Sequence, residues 1–298
     1  MSWHCFRLRL RLKTDMHCGS LALGFVSRAF PYVPQHVPLY ASVPAAVAAL
    51  GLPDIRPSYQ AVEDLLFPRM RTSPFFVLDE SGDGARPLFP WNAHDRAVLE
   101  ADFMGSRYGV ALDAGSRSAE ENRLFETEVL LARRRGSGHP VRVEGFVWLC
   151  AGTSGNLVLD PAKGIMLTDG SRQLSWPELL GGLMLGGDRT RNLGQIWPDV
   201  ELEEVSSLWD GMTMHLDREW PCLEIPAGGA CPVALEADGQ PGSGAPFVVM
   251  TGRRIRRGGG YDMDKGVVAH DLGWRPDNVL MVELAGERCA RAVNGCRN

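Results

Sequence analysis

The chain has 298 residues, 45% of them hydrophobic, so it is long enough to bury one large core or two of ordinary size. Its formal net charge of -5 at pH 7 argues against a surface coated all over with nucleic acid, because such proteins usually carry a basic balance. Seven cysteines, an odd number with no C-x-x-C pair, signal neither a disulfide framework nor a zinc ribbon. We expect a cytoplasmic globular protein with no membrane segment, no metal and no cofactor.

The first predicted element is a strand over Phe6–Lys13, where apolar and basic residues alternate strictly. A period of two is the strand period, so the four leucine and phenylalanine side chains share one face and the four basic side chains share the other. Two interpretations of the basic face stay open. It is either an edge strand that charge protects from aggregation, or part of a sheet that faces RNA.

Two helices are predicted next. The first begins at Ser42, a capping residue, and ends before Gly51, a typical C-terminal glycine. The second covers Ser58–Phe67 and is stopped by Pro68.

A third helix is better marked, because Ser175 and Glu178 form a capping box before an apolar stripe. It is predicted to stop at Gly186 and Gly187. Strands are predicted before and after it, at Phe75–Leu78, Arg107–Asp113, Leu124–Ala132, Val141–Cys150 and Leu193–Val200.

The order β, α, several β, α, β is that of an expanded ferredoxin-like (RRM-like) fold, so we predict the α+β class. The first domain is predicted to cover residues 1–200. Residues 201–298 carry strand-like segments between long stretches rich in glycine and proline, and they predict a smaller, irregular, β-rich second domain.

The segment with the clearest functional pattern is a glycine-rich loop after the third helix. Glycines let a backbone approach a phosphate closely, and arginine forks grip phosphate oxygens. The candidate RNA-binding residues here are Gly186, Gly187, Arg189, Arg191 and Gly194. The alternative is a glycine-capped helix end followed by a solvated basic turn.

This loop, GGDRTRNLGQ, resembles the glycine-rich loop of the RAMP superfamily of CRISPR-associated proteins, whose pattern is roughly G-G-x-R-[ST]-x-G-x-G before a final strand. Asn192 stands where many members have glycine, and asparagine tolerates the left-handed backbone conformation that such a turn needs. The segments 107–113, 123–128 and 143–147 are similar to the central run of the superfamily, and Tyr32-Val33-Pro34 to the residues before its first helix. The resemblance implies a ferredoxin-like RAMP domain in a type III CRISPR effector complex.

A second basic segment, RRIRRGGGY, is similar to the late strand and turn of the type III subunit that caps the 5′ handle of the guide RNA. Its arginines and tyrosine also suit phosphate binding plus base stacking. They are Arg253, Arg254, Arg256, Arg257 and Tyr261. The alternative here is a solvated basic hairpin.

The resemblance therefore implies a structural subunit that binds crRNA, with other effector subunits as partners and target RNA as an indirect one. Whether it is also an enzyme stays open. Some RAMP backbone subunits cut target RNA with an acidic residue after the first strand, and Asp15 is the weak candidate for that role. An unrelated cytoplasmic enzyme without a recognisable motif is the remaining alternative.

Overall fold

The computed structural model describes residues 2–82, 84–112, 115–116, 118–163, 166–209, 212–217 and 221–225, and the backbone of four strands beyond them. The helices are α1 (His36–Leu50), α2 (Arg56–Arg69), α3 (Ala93–Val98) and α4 (Trp176–Gly181). The strands before α4 are β1 (Trp3–Arg11), β2 (Gly19–Leu23), β3 (Val26–Ala29), β4 (Met70–Thr72), β5 (Phe76–Asp79), β6 (Arg86–Pro87), β7 (Met104–Leu112), β8 (Ala119–Leu130), β9 (Arg142–Cys150), β10 (Gly152–Ser154), β11 (Leu157–Asp160), β12 (Met166–Thr168) and β13 (Gln173–Ser175). The later strands are β14 (Glu201–Glu204), β15 (Thr213–His215), β16 (Cys222–Ile225), β17 (Arg254–Ile255), β18 (Tyr261–Asp262), β19 (Trp274–Leu284) and β20 (Ala290–Gly295).

The central sheet has the strand order β14-β1-β9-β5-β6, and β4 pairs with β9 beside β5. Every pairing in it is antiparallel. Because β1 is hydrogen-bonded on both sides, to β14 and to β9, the edge-strand interpretation of its basic face is wrong.

The two faces of the central sheet are buried by different partners. The face with Leu8, Leu10 and Val143 joins one large core with apolar side chains of α1, α2 and α4. The opposite face, which we call the outer face, carries an aromatic cluster around Trp148 and Trp209 at one end of the strands. Toward the other end of β1 the outer face becomes charged.

The three predicted helices form, but their bounds differ; α2 continues through Pro68 to Arg69, and α3 was not predicted. Helix α1 begins at His36 rather than Ser42, and the hydroxyl of Ser42 donates to the carbonyl of Pro38 at 2.8 Å, inside the helix. Its predicted end is confirmed, because Gly51 closes it with φ 66°. Helix α4 has the predicted capping box, with Ser175 N–H donating to Glu178 Oε2 at 2.8 Å, yet it ends at Gly181.

Three further sheets account for most of the remaining strands: β2-β3-β8-β7, β10-β11-β12-β13 and β15-β16-β19-β20. The first contains the long hairpin of β7 and β8. The mixed architecture of helices and several sheets agrees with the predicted α+β class. In the described part of the chain, the helices are all too short or too polar to span a bilayer.

The residues that directly follow position 200 continue the central sheet. Strand β14 pairs with β1 in the register Leu8 to Leu202, and Trp3 N–H donates to Leu216 O at 3.1 Å. The ring of Trp209 lies 4.7 Å from that of Phe146, edge to face. The segment from β14 to about Leu216 therefore packs with the first unit.

Candidate nucleic-acid interface

Two loops meet at the end of β1, and we call residues 13–19 and 186–197 together the loop platform. Backbone hydrogen bonds join them. Gly187 N–H donates to His17 O at 2.8 Å, Gly194 N–H to Asp15 O at 2.8 Å, and Lys13 N–H to Gln195 O at 2.8 Å. The two loops therefore form one continuous surface, although about 170 positions separate them in the sequence.

The glycines of the platform are required by its backbone. Gly186 has φ 84° and Gly194 has φ 78°, conformations that disfavour a Cβ. A Cβ would also overlap the carbonyl oxygen of His17 at the first position and that of Leu185 at the second. The N–H groups of Gly187 and Gly194 bond within the platform, so these two donors are not free for a ligand.

The platform closes on itself at its base and turns through two further left-handed residues. Leu185 N–H donates to Gly194 O at 2.8 Å, which closes the loop. Asn192 has φ 63°, so the left-handed conformation expected of it is confirmed, and Asp188 has φ 54°. Between them, residues 189–191 form a single 3₁₀ turn that projects both arginines.

His17 fixes the platform to the β2-β3-β8-β7 sheet. Its Nδ1 lies 2.7 Å from the carbonyl oxygen of Glu128. Since a carbonyl only accepts, Nδ1 donates to it, and Nε2 lies 3.2 Å from the Ser27 hydroxyl oxygen. The imidazole is buried, and both of its nitrogens are used to hold strands together.

Asp15 is held by three hydrogen bonds. Its Oδ2 accepts from Arg107 Nη2 at 2.8 Å and Nε at 3.1 Å, and its Oδ1 accepts from Ala132 N–H at 2.8 Å. The carboxylate thus ties the platform to β7 and to the segment that follows β8. Its geometry is that of a structural link.

The two loop arginines are exposed. Arg189 Nε donates to Gly186 O at 3.1 Å, and among the described residues its guanidinium has no carboxylate partner. The Arg191 guanidinium lies 4.4 Å from the centroid of the Phe125 ring and 3.6 Å from a carboxylate oxygen of Asp188. Phe125 is seated on the backbone of Gly109, where a Cβ would overlap the ring. A stacked guanidinium keeps its hydrogen-bond donors at the ring edge free for an anion.

The basic outer face of β1 has a different electrostatic character. Arg9 Nε donates to the buried Glu144 at 2.7 Å and its Nη1 lies 3.5 Å from Glu201. Arg7 pairs with Glu203, and its hydrogen bond and charge lower the pKa of that carboxyl. The arginines of this strand are therefore neutralised by carboxylates of β9, of β14 and of the chain just before β14.

Comparison with solved structures finds chains of CRISPR assemblies among those similar to this chain. Over 68% of its length the chain is similar to chains of two type III-B Cmr-beta assemblies. One was determined bound to cognate target RNA and AMPPnP (TM-score 0.31, 10% identity, 63% of that chain covered). The other was bound to cognate target RNA alone (TM-score 0.39, 12% identity, 61% of that chain covered). TM-scores below 0.5 do not establish a shared fold, so they carry no functional weight here.

No family model and no curated protein matches the chain. The chain spans less than two thirds of each solved chain to which it is similar.

The second predicted basic segment lies mostly outside the described residues. Arg253, Arg256 and Arg257 are not described. The backbones of β17 and β18 pair antiparallel, with Ile255 opposite Tyr261 and Arg254 opposite Asp262.

One aromatic residue of the platform was missed by the sequence analysis. Trp197 is 38% exposed, and both Arg11 and Lys13 lie over its ring. The available signal was its position three residues after Gly194, where a predicted strand begins beside the basic end of β1.

Proposed function

We propose that this chain is a structural, RNA-binding subunit of a type III CRISPR ribonucleoprotein effector complex, in the role that grips the 5′ handle of crRNA. The carrying observation is the loop platform. It presents three cations, Lys13, Arg189 and Arg191, against two carboxylates, and Asp15 is already paired with Arg107.

The strand order supports the ferredoxin-like part of the proposal. In chain order, β1 is followed by α1 and α2, then by β4 and β5, then by β9, α4 and β14. In the sheet, β1 and β9 lie at the centre with β14 outside β1 and β4 and β5 outside β9. Two interleaved β-α-β halves with this arrangement are what a ferredoxin-like fold requires. The expected boundary at residue 200, between domains 1–200 and 201–298, does not fit this sheet, because β14 completes it; we propose that the second domain begins after β14.

The chemistry of the platform supports RNA as the ligand. Arg189 has no competing carboxylate among the described residues, and Arg191 is pre-oriented by Phe125, so both can donate to phosphate oxygens without first breaking a buried ion pair. A compact basic surface on an acidic chain also fits a subunit whose remaining surface contacts other proteins. The segment Arg253–Tyr261 would add a second RNA contact.

The test compares RNA binding by two charge-matched double variants. Affinity for RNA falls as salt rises. In Arg189→Ala with Arg191→Ala the magnitude of the slope of log affinity against log salt should decrease by about 1.4, because each phosphate contact on a single strand contributes about 0.7. The control is Arg56→Ala with Arg96→Ala, which removes two exposed arginines from α2 and α3. Small RNA that copurifies with the chain should decrease only in the loop variant. Equal retention and equal salt slopes in the two variants would contradict the platform assignment.

A target-cleaving backbone subunit is the competing function, and Asp15 separates the two. Its carboxylate is committed to Arg107 and Ala132, so an assembled complex with Asp15→Ala should cut target RNA at every position that the parent complex cuts. Loss of one specific cut with assembly intact would assign cleavage to this chain.

A further inference from the structure

Trp197 forms an exposed aromatic surface beside two cations at the edge of the loop platform. We propose that it stacks on a nucleobase of single-stranded RNA while Lys13 binds an adjacent phosphate. This inference rests on the proposed RNA-binding function and adds a base-contacting subsite to it.

Strand register places the three side chains on one face. Lys13 N–H donates to Gln195 O at 2.8 Å and Trp197 N–H donates to Arg11 O at 2.9 Å, so residues 195–197 run antiparallel to the end of β1. Leu12 and Ile196, which form a β-bridge, are buried in the core on the helix side. By alternation, the residues on either side of them point to the outer face.

The cations orient the indole ring. The Arg11 guanidinium carbon lies 5.0 Å from the ring centroid and the Lys13 ammonium nitrogen 5.3 Å from it, both within the range of cation–π attraction. Arg11 ends β1 and Lys13 lies two positions further along, so both side chains extend from the neighbouring segment toward the ring. The residue is still 38% exposed.

The charges of the two cations are not equally available. Arg11 Nη2 lies 2.7 Å from Asp199 Oδ2, so its charge is compensated. Lys13 is exposed and has no carboxylate partner among the described residues. An oriented aromatic ring next to an uncompensated ammonium group is the combination that binds single strands, where bases stack on rings and backbone phosphates follow cations.

The position favours nucleic acid over a protein partner. Trp197 lies on the same loop as Arg189 and Arg191, and backbone hydrogen bonds join this loop to the end of β1, so the ring and the loop cations belong to one surface. A protein partner would gain from the ring but would meet an uncompensated cation, which is costly to bury.

The test uses a single-stranded RNA oligomer and the same oligomer with abasic sites. Trp197→Leu keeps apolar bulk but has no aromatic face, and it should weaken binding of the intact oligomer roughly 5- to 150-fold, the range for loss of one stacked base. Trp197→Phe should stay within about threefold of the parent, because it retains a ring for stacking. On abasic RNA the leucine variant and the parent should bind equally. Lys13→Ala should instead lower the salt slope by about 0.7.

Melting temperatures of the variants provide the folding control. Equal binding of intact RNA by Trp197→Leu and the parent, or equal losses on intact and abasic RNA, would overturn the stacking subsite. The stacking subsite would also be overturned if Trp197→Leu lost a copurifying protein while its RNA binding stayed intact. If Arg189→Ala with Arg191→Ala still weakens binding in those cases, the proposed function stands without the subsite. If neither the arginine pair nor Trp197 affects RNA binding, the proposed function fails as well.

Discussion

The outer face of β1 and the loop platform at its end both carry arginines, yet they differ in what those arginines contact. Arg7 and Arg9 are paired with glutamates of neighbouring strands. Arg189 and Lys13 have no carboxylate partner among the described residues. The alternating basic residues of β1 are therefore less available to an anion than Lys13 and Arg189 of the platform.

The antiparallel register explains this difference. Arg9 lies directly between Glu201 of β14 and Glu144 of β9, so one row of the sheet reads acid, base, acid. Opposite charges directly across strands stabilise a sheet. Residues 189–191 form a 3₁₀ turn outside the strand ladders, so no such row places acids on both sides of Arg189.

The largest expected effect comes from breaking the platform. Gly194→Ala places a Cβ against the carbonyl oxygen of Leu185 at a residue with φ 78°, and we expect a loss of about 2–4 kcal/mol in the free energy of unfolding. RNA binding should fall in the folded fraction too, because the turn that projects Arg189 and Arg191 is distorted. Chemical denaturation and RNA titration measure the two effects. The control is Gly155→Ala, also at positive φ but with open space around its Cβ; a similar stability loss there would show that backbone strain alone is responsible.

A smaller effect, confined to stability, is expected on the outer face. Glu144 is buried and accepts from Arg9, so Glu144→Gln should cost roughly 1–3 kcal/mol of unfolding free energy. The affinity for RNA should stay unchanged, since this pair holds the sheet together. A clear loss of RNA affinity in a folded variant would show that the outer face contacts RNA.

The smallest effect should come from removing carboxylate partners of the β1 arginines. Glu201→Gln with Glu203→Gln removes exposed partners of Arg9 and Arg7, and we expect slightly tighter, more salt-sensitive RNA binding with little change in stability. Titration of each variant and of the parent with RNA at two salt concentrations measures the affinity and its salt dependence. An unchanged salt dependence would mean that carboxylate pairing does not control RNA binding on this face.

Local signals in the sequence predicted several elements of the fold correctly. The capping box of Ser175 and Glu178, the helix end at Gly51 and the left-handed Asn192 are each decided by neighbouring residues. The start of α1 was predicted wrongly. The helix already begins at His36, and the Ser42 hydroxyl bonds to the carbonyl of Pro38 inside it instead of capping its start.

Contacts between distant segments explain what the sequence could not supply. The acids opposite Arg9 lie 135 and 192 positions away, so the neutralised outer face has no local signature. The platform itself depends on hydrogen bonds from Gly187 and Gly194 to the loop after β1. Its loop was recognisable from glycines and arginines, but the contribution of Lys13 and Trp197 depends on the register between residues 195–197 and β1.

Crosslinking of bound guide RNA, with mass-spectrometric mapping of the modified peptides, tests the central claim most directly. The loop platform should yield adducts within residues 13–19 and 186–197, and the segment Arg253–Tyr261 should yield a second set. Peptides that cover Arg7 and Arg9 but end before Lys13 should remain unmodified. Adducts concentrated on the outer face of β1, with none on the platform, would contradict the account.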